Sequence, residues 1–367
     1  MRIVYVLTSL GVGGAERQVL ALAERMAARG HAVSLLVLRP PQHEEWPTKV
    51  DRIYLDVRKT PISLFAGIVK ARRFLRSFSP DLIHSHVFPA NMMARVLCLF
   101  HPAPVLSTVH NVYEGSWPRM LAYRLTDPLC VWTTAVSGAA AARYVRLKAV
   151  PATKFSVLTN GIDTVEFAPD QERRTSMRAM MGAVENFVWL TAGRIAPAKD
   201  YPNLLRAFGK LLKSSPQTQL WVAGESSGPE FTAVQKVAEE LGLRASVRWL
   251  GLRRDIPALL DAADGFVLAS AWEGMPLVAG EAMAMEKLVV ATDVGGVREL
   301  MGDTGVIVPA KDSDALARAM LAQMESRSDN RDSPGRAARQ RILSQFSMDV
   351  KADEWEALYR TVLTPRN

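Results

Sequence analysis

The chain has 367 residues, 49% of them apolar and 22% charged, a composition of ordinary globular proteins that leaves room for two domains of normal size. No apolar run reaches the roughly 18 residues that a membrane-spanning helix requires, so a helical membrane span is excluded. The net charge of +8 is uneven: residues 1–165 hold 20 Lys and Arg against 10 Asp and Glu, and residues 166–367 hold 25 against 27.

In chain order, the first half alternates short apolar runs with helical patterns, and strands are predicted at 2–8, 32–38, 81–85, 104–109, 131–136 and 155–158. That alternation predicts a parallel sheet wrapped by helices. The first run is too short and too abruptly ended for a signal peptide. After it, Gly11, Gly13 and Gly14 open a helix that closes at Gly30, as a dinucleotide fingerprint would. Glu16 stands where the third glycine belongs, and the second strand ends at Arg39 with no acid nearby, which argues against a dehydrogenase. Gly13 and Gly14 leave backbone donors at a helix N-terminus for a phosphate or an acceptor group. Glu16 and Arg17 are candidates to touch the acceptor, although an acid in a first helical turn is favourable by itself.

Residues 62–76 have helical apolar spacing, with Lys70, Arg72, Arg73 and Arg76 clustered late. The cluster suits an anionic membrane surface, and it equally suits the negative end of a helix dipole. Trp117, Arg119, Tyr123 and Arg124 form a second aromatic and basic group able to lie on a bilayer. His84 and His86 are read as pointing to opposite faces of a strand, unsuited to a shared metal and structural in role. His110 ends the next strand at its carboxyl edge, a position that alone leaves its role open. Cys98 and Cys130, far apart and without CxxC spacing, read as buried reduced thiols. Ser137 reads as a helix cap, and Asn160-Gly161 as a turn, with Asp163 capping the segment after it.

The polar, punctuated stretch 166–185 is predicted to be a linker. Beyond it, strands are predicted at 187–192, 219–223, 246–250, 265–269, 288–291 and 305–308, repeating the first plan. At the carboxyl end of the first of these, Gly193 frees the backbone, and Arg194 and Lys199 place two cations that suit a diphosphate. After the strand at 265–269 the chain turns into a helix with Pro276 as its first residue, so the N–H groups of Leu277 and Val278 are unpaired donors for an anion. Glu273 lies in that turn and Glu281 about one turn into the helix. As carboxylates beside an anion site, they suit hydrogen bonds to sugar and ribose hydroxyls. Gly280, inside the helix, points to close approach by a ligand or a neighbouring backbone. Asp312 and Asp314 have the spacing of a divalent-metal pair but immediately precede a helix, so capping explains them and no metal is expected. Residues 326–335 read as a polar loop, and Phe346, Val350, Trp355, Tyr359 and Val362 give a final helix.

Gly13-Gly-Ala-Glu-Arg17, Thr108-Val-His110, Ala135-Val-Ser137, Asn160-Gly-Ile-Asp163, Gly193-Arg194 with Lys199, the glutamates eight positions apart in number, 273 and 281, and Val289 to Gly296 resemble, in order, the motifs of the retaining family 4 glycosyltransferases. The resemblance spans nearly the whole chain. It implies the GT-B architecture: two doubly wound, Rossmann-like α/β domains facing a cleft. The expected organisation is an acceptor-side domain at 1–165, the linker, a nucleotide-sugar domain at 186–345, and a helix at 346–367 crossing back to the first domain. It also implies that Glu273 contacts donor-sugar hydroxyls, Glu281 the ribose, Arg194 and Lys199 the diphosphate, and His110 the donor sugar. The family carries a bulky apolar residue before the second glutamate, where this chain has Ala279-Gly280.

The expected function is transfer from a nucleotide diphosphate sugar, UDP above all, to a lipid-linked glycan in surface polysaccharide synthesis. The donor is a substrate, so no cofactor is expected, nor a nucleic-acid partner. The expected location is the cytoplasmic face of the membrane, bound peripherally. The alternatives are a noncatalytic sugar-nucleotide-binding or scaffolding subunit, and a sugar-nucleotide epimerase of the same architecture.

Overall fold

A computed structural model describes residues 1–11, 13–40, 46–325 and 334–364. The expected polar loop at 326–335 lies, for residues 326–333, outside them. The chain divides into two compact units, Met1–Gly161 with Met348–Asn367, and Ile162–Ser347.

In the first unit β1 (Arg2–Leu7), β2 (Ala32–Val37), β3 (Asp51–Tyr54), β4 (Leu82–His86), β5 (Val105–Val109), β6 (Trp132–Ala135) and β7 (Phe155–Val157) form one parallel sheet. Its order is β3-β2-β1-β4-β5-β6-β7, so the winding reverses between β1 and β4. Such a reversal leaves a crevice at the carboxyl ends of the strands, where α/β sheets bind ligands. Alternate side chains feed two cores. Ile3, Tyr5 and Leu7 pack with α1 (Gly14–Ala28), whereas Val4 and Val6 pack with α2 (Pro61–Phe78) and α3 (Phe88–Leu97). Helices α4 (Trp117–Thr126) and α5 (Gly138–Arg146) enclose a further cluster around Val109. Ser137 caps α5, accepting from the Ala140 N–H at 3.3 Å.

The second unit begins with α6 (Gln171–Met180), inside the stretch expected as a linker. Asp170 caps it, and Arg174 and Arg178 reach the Asp264 carboxylate at 2.6 and 3.0 Å, while Arg173 pairs with Asp261. Both acids are almost fully enclosed, so this helix is fastened to its unit rather than spanning between two. There follow β8 (Val188–Ala192), α7 (Tyr201–Leu212), β9 (Gln219–Ala223), α8 (Gly228–Glu240), β10 (Val247–Gly251), α9 (Ile256–Ala262), β11 (Gly265–Leu268), α10 (Leu277–Ala284), β12 (Leu288–Thr292), α11 (Val297–Met301), β13 (Val306–Val308), α12 (Ser313–Glu325) and α13 (Pro334–Arg341). The parallel sheet runs β10-β9-β8-β11-β12-β13, reversing between β8 and β11. Trp189, Leu220, Val222 and Val267 pack with α7, α8 and α12 as the main core. Asp312 accepts from the Asp314 and Ala315 N–H groups at 3.0 and 2.8 Å, and Asp314 pairs with Lys210.

The final helix, α14 (Met348–Leu363), belongs to the first unit. It buries Trp355 and Tyr359 in the core that contains Tyr5, each worth about 1.5–3 kcal/mol. Arg29, the C-cap of α1, binds Asp353 and Glu356 at 2.7 and 3.2 Å.

Candidate active site

The reversal between β8 and β11 gathers the charged motifs of the second unit. β8 is buried throughout and delivers the chain to Gly193, whose φ of +151° disfavours any side chain. A Cβ there would also meet Lys199 Cε at 3.2 Å. The Gly193 carbonyl accepts from Tyr201 Oη at 2.9 Å. Lys199 closes a short 3-10 turn, and its Nζ meets Glu273 Oε1 at 2.5 Å. Ser270 Oγ donates to the same oxygen at 2.6 Å. Oε1 is thus doubly bonded, while Oε2 has no partner among the described residues. The side chains of Lys199 and Glu273 are 22% and 12% exposed, so the carboxylate beside the expected anion site carries its own counter-charge.

The loop that carries Glu273 is held on both sides. Ala271 N–H donates to the Ala198 carbonyl at 2.8 Å, and Thr292 Oγ1 to the Ser270 carbonyl at 2.6 Å. Gly295 has φ of +55°, and a Cβ on it would lie 2.2 Å from the Glu273 carbonyl oxygen. Gly296 N–H donates to the Gly274 carbonyl at 2.7 Å. The Val289 to Gly296 motif is therefore the backing of the Glu273 loop.

Pro276 is the N-cap of α10, with φ of −77° and ψ of 102°, and not its first helical residue. Its extended ψ keeps it outside the helix, and Leu277 and Val278 occupy the first two positions. The first main-chain bonds run from Ala279 and Gly280 back to the Pro276 carbonyl. Glu281 is 6% exposed, in a helix most of whose residues are buried. Around Gly280 the close neighbours are side chains and not the backbone that the sequence suggested: an added Cβ would lie 2.8 Å from Ile162 Cδ1 and 3.4 Å from Leu300 Cδ1. Arg194 is exposed on the loop after β8 and makes no ion pair among the described residues.

In the first unit, Gly13 is the N-cap of α1 and Gly14 its first residue. Glu16 folds back over them: its Oε2 would lie 2.3 Å from a Cβ on Gly13, and Ser9 Oγ donates to its Oε1 at 3.4 Å. The acid thus occupies ground that a phosphate at this helix end would share. The Arg17 guanidinium lies over the Trp46 ring at 5.1 Å.

The histidines also depart from the sequence reading. Residues two apart on a strand share a face, and the rings of His84 and His86 lie 4.0 Å apart, centroid to centroid. His84 Nδ1 meets Tyr359 Oη and its Nε2 meets Thr108 Oγ1, both at 2.7 Å. His86 Nδ1 meets His110 Nε2 at 2.9 Å. The following residue, Val87, has φ of +71°, a strained value for a β-branched residue, costing on the order of 1–3 kcal/mol and typical of functional turns. His110 N–H donates to Glu114 Oε1 at 3.0 Å, and Tyr123 Oη donates to Oε2 at 3.1 Å. Burial lowers His110 to about 4, lowers His84 and His86 well below the usual histidine value, and raises Glu114.

The structure therefore joins Lys199 to Glu273, seats Glu281 in the adjoining helix, and places Arg194 on the same loop as Lys199. Sequence reasoning missed Ser270, Tyr201, Glu114 and Tyr359. A signal existed only for the His84 and His86 pairing, in their spacing of two.

Residues 175–341 match the family model for glycosyl transferases group 1, and residues 12–166 that for glycosyltransferase family 4. Among curated proteins, the D-inositol 3-phosphate glycosyltransferase of Corynebacterium urealyticum is 30% identical over 332 residues, covering 83% of this chain and 77% of that one. The UDP-Gal:alpha-D-GlcNAc-diphosphoundecaprenol alpha-1,3-galactosyltransferase of Escherichia coli is 24% identical over 312 residues, 80% and 78% of the two chains. The solved structure of HepE from Anabaena in complex with UDP and glucose is similar with a TM-score of 0.86 at 20% identity, covering 98% of this chain and 100% of that one. Two parallel-sheet α/β units, both family matches and a relative at 30% identity show that the chain belongs to the GT-B glycosyltransferases and is an enzyme of that kind.

Proposed function

We propose that the protein is a retaining glycosyltransferase that moves a sugar from a UDP-sugar to a lipid-linked glycan in surface polysaccharide synthesis. The observation that carries this reading is the Lys199–Glu273–Ser270 cluster at the β8/β11 reversal, beside α10 with its buried Glu281. Lys199 and Arg194 face the diphosphate, Glu273 Oε2 accepts from a sugar hydroxyl, and Glu281 accepts from the ribose. The first-turn donors at Leu277 and Val278 add partial positive charge for the diphosphate.

In the reaction the bond from the anomeric carbon to the diphosphate oxygen breaks. A bond to the acceptor oxygen forms on the same face, and the acceptor proton passes to the departing phosphate. Negative charge grows on the leaving group, so Lys199 and Arg194 act most strongly in the transition state. His110, in the first unit, offers its ring to a sugar hydroxyl. Glu16 makes the N-terminus of α1 better suited to acceptor hydroxyls than to a second phosphate. UDP and the lipid acceptor are supported by what the names of the Escherichia coli and Anabaena relatives state of those proteins.

Membrane contact belongs to the same proposal. No helix among the described residues is long and apolar enough to cross a membrane. Instead, α2 exposes Ile62 and Phe65, at 84 and 70%, together with Arg72, Arg73 and Arg76, and α4 exposes Trp117 and Leu125, at 73 and 71%. Trp117, Leu121 and Leu125 recur every four residues, on one face of α4. Tyr123, expected on that surface, is buried in the core under α4, and Arg119 lies over Phe88.

The test is the anomeric configuration of the product, read by NMR after transfer from an α-configured UDP-sugar. An α-linked product is expected; a β-linked product overturns retention.

A further inference from the structure

The proposal that His110 touches the donor sugar leaves open which ring nitrogen it uses and whether that nitrogen gives or takes a hydrogen bond. His110 Nε2 is committed to His86 Nδ1 at 2.9 Å, so only Nδ1 remains for a ligand. Nδ1 has no protein partner among the described residues. A neutral imidazole carries one proton, so one of the two facing nitrogens donates and the other accepts.

The surroundings of His86 decide which. Its other nitrogen, Nε2, is buried without a partner. The neighbour that could have served it, His84, already spends Nδ1 on Tyr359 and Nε2 on Thr108. Were His86 protonated at Nε2, a buried N–H would be orphaned, and orphaned donors are rarer in proteins than under-used acceptors. With the proton on Nδ1, His86 donates to His110 Nε2 and leaves only a lone pair unmatched.

We infer that His86 is a positioning residue that holds His110 as the neutral tautomer protonated at Nδ1, so that His110 gives a hydrogen bond to an oxygen of its ligand rather than taking one. His86 is the last residue of β4, directly before the positive-φ residue Val87, and from this strand end its ring meets His110. The inference rests on the His110 reading above only for the identity of the ligand. The tautomer itself is a property of the protein.

The test is 15N–1H NMR of the full chain labelled at histidine, at pH 7.5 with UDP present, with His110 assigned through His110→Ala. Protonation of His110 at Nδ1 with a bare Nε2 is expected, and the reverse overturns the proposal. His86→Leu removes the donor and should let His110 populate the Nε2-protonated form, with kcat falling roughly 10- to 100-fold and KM little changed. His86→Asn, whose amide nitrogen can replace Nδ1 as donor, should restore both the tautomer and most of the turnover. An unchanged His110 tautomer in His86→Leu overturns the coupling; should that variant not fold, the wild-type tautomer and His86→Asn still decide. Full activity in His110→Ala would remove the sugar-contact reading alone, because the tautomer is measured without turnover.

Discussion

Glu273→Gln separates the two jobs assigned to the residues around the β8/β11 reversal. In the native protein Lys199 Nζ is held at 2.5 Å by Glu273 Oε1, and Ser270 Oγ is held at 2.6 Å by the same oxygen. Glutamine keeps an oxygen for Ser270 but removes the charge that Lys199 faces. Lys199 is then free to answer the diphosphate. The pair is partly exposed, so its net worth lies near that of measured surface pairs, about 0.2–1 kcal/mol. Affinity for UDP should therefore stay unchanged or tighten, by at most about fivefold, with the gain shrinking as salt rises. Turnover of the UDP-sugar should fall sharply, because with the amide oxygen facing Ser270 the Oε2 position becomes an NH2 group, which cannot accept from the sugar hydroxyl. Glu281→Ala should weaken UDP itself. Calorimetric titration of the two variants with UDP, at two salt concentrations, reads the difference. Equal weakening of UDP in both would refute the division into a sugar carboxylate and a ribose carboxylate.

The lowered pKa of His110 ties stability to pH. A histidine depressed from 6.5 to about 4 is bound neutral in the fold, so its contribution is complete above about pH 6.5 and is lost as pH falls towards 4. The loss is roughly 3 kcal/mol at most, His84 and His86 add to it, and Glu114, raised by burial, opposes it. Urea midpoints across that range should fall more for wild type than for His110→Asn; parallel curves would contradict the burial account. Activity should survive EDTA, given the Arg194 and Lys199 cations and the capping role of Asp312; full loss restored by manganese would overturn metal independence. Replacing Trp117 and Leu125 with serine should reduce binding to anionic vesicles, as should replacing Arg72, Arg73 and Arg76 with glutamine. Unchanged binding in both would remove the membrane proposal.

The strands were legible where they are buried on both faces, as in β8 and β11, because continuous apolar runs bounded by turns have few other readings. β3 was not, since Asp51, Arg52, Ile53 and Tyr54 form a short edge strand with two exposed charged residues and no alternation. α6 looked like a linker because its fasteners, Asp261 and Asp264, lie some 90 residues on, and an Arg-rich stretch reads as solvated until its acids are placed. The charged motifs at the site were readable one by one. Their pairing was not: Lys199 and Glu273 are 74 residues apart, and only the parallel order of β8 and β11 makes them neighbours. Gly280 likewise awaited Ile162. The histidine pair was within reach, because a spacing of two on a strand places both rings on one face.

The central claim is that Lys199 and Arg194 drive departure of a nucleotide diphosphate when an acceptor is present. The most direct measurement is UDP release from a UDP-sugar, with and without a diphosphate-lipid-linked glycan, for wild type and for Lys199→Ala and Arg194→Ala. Release should require the acceptor, and each variant should lose about 100- to 1,000-fold in kcat with far less change in donor KM. Release indifferent to the acceptor, or variants altered in KM alone, would contradict it.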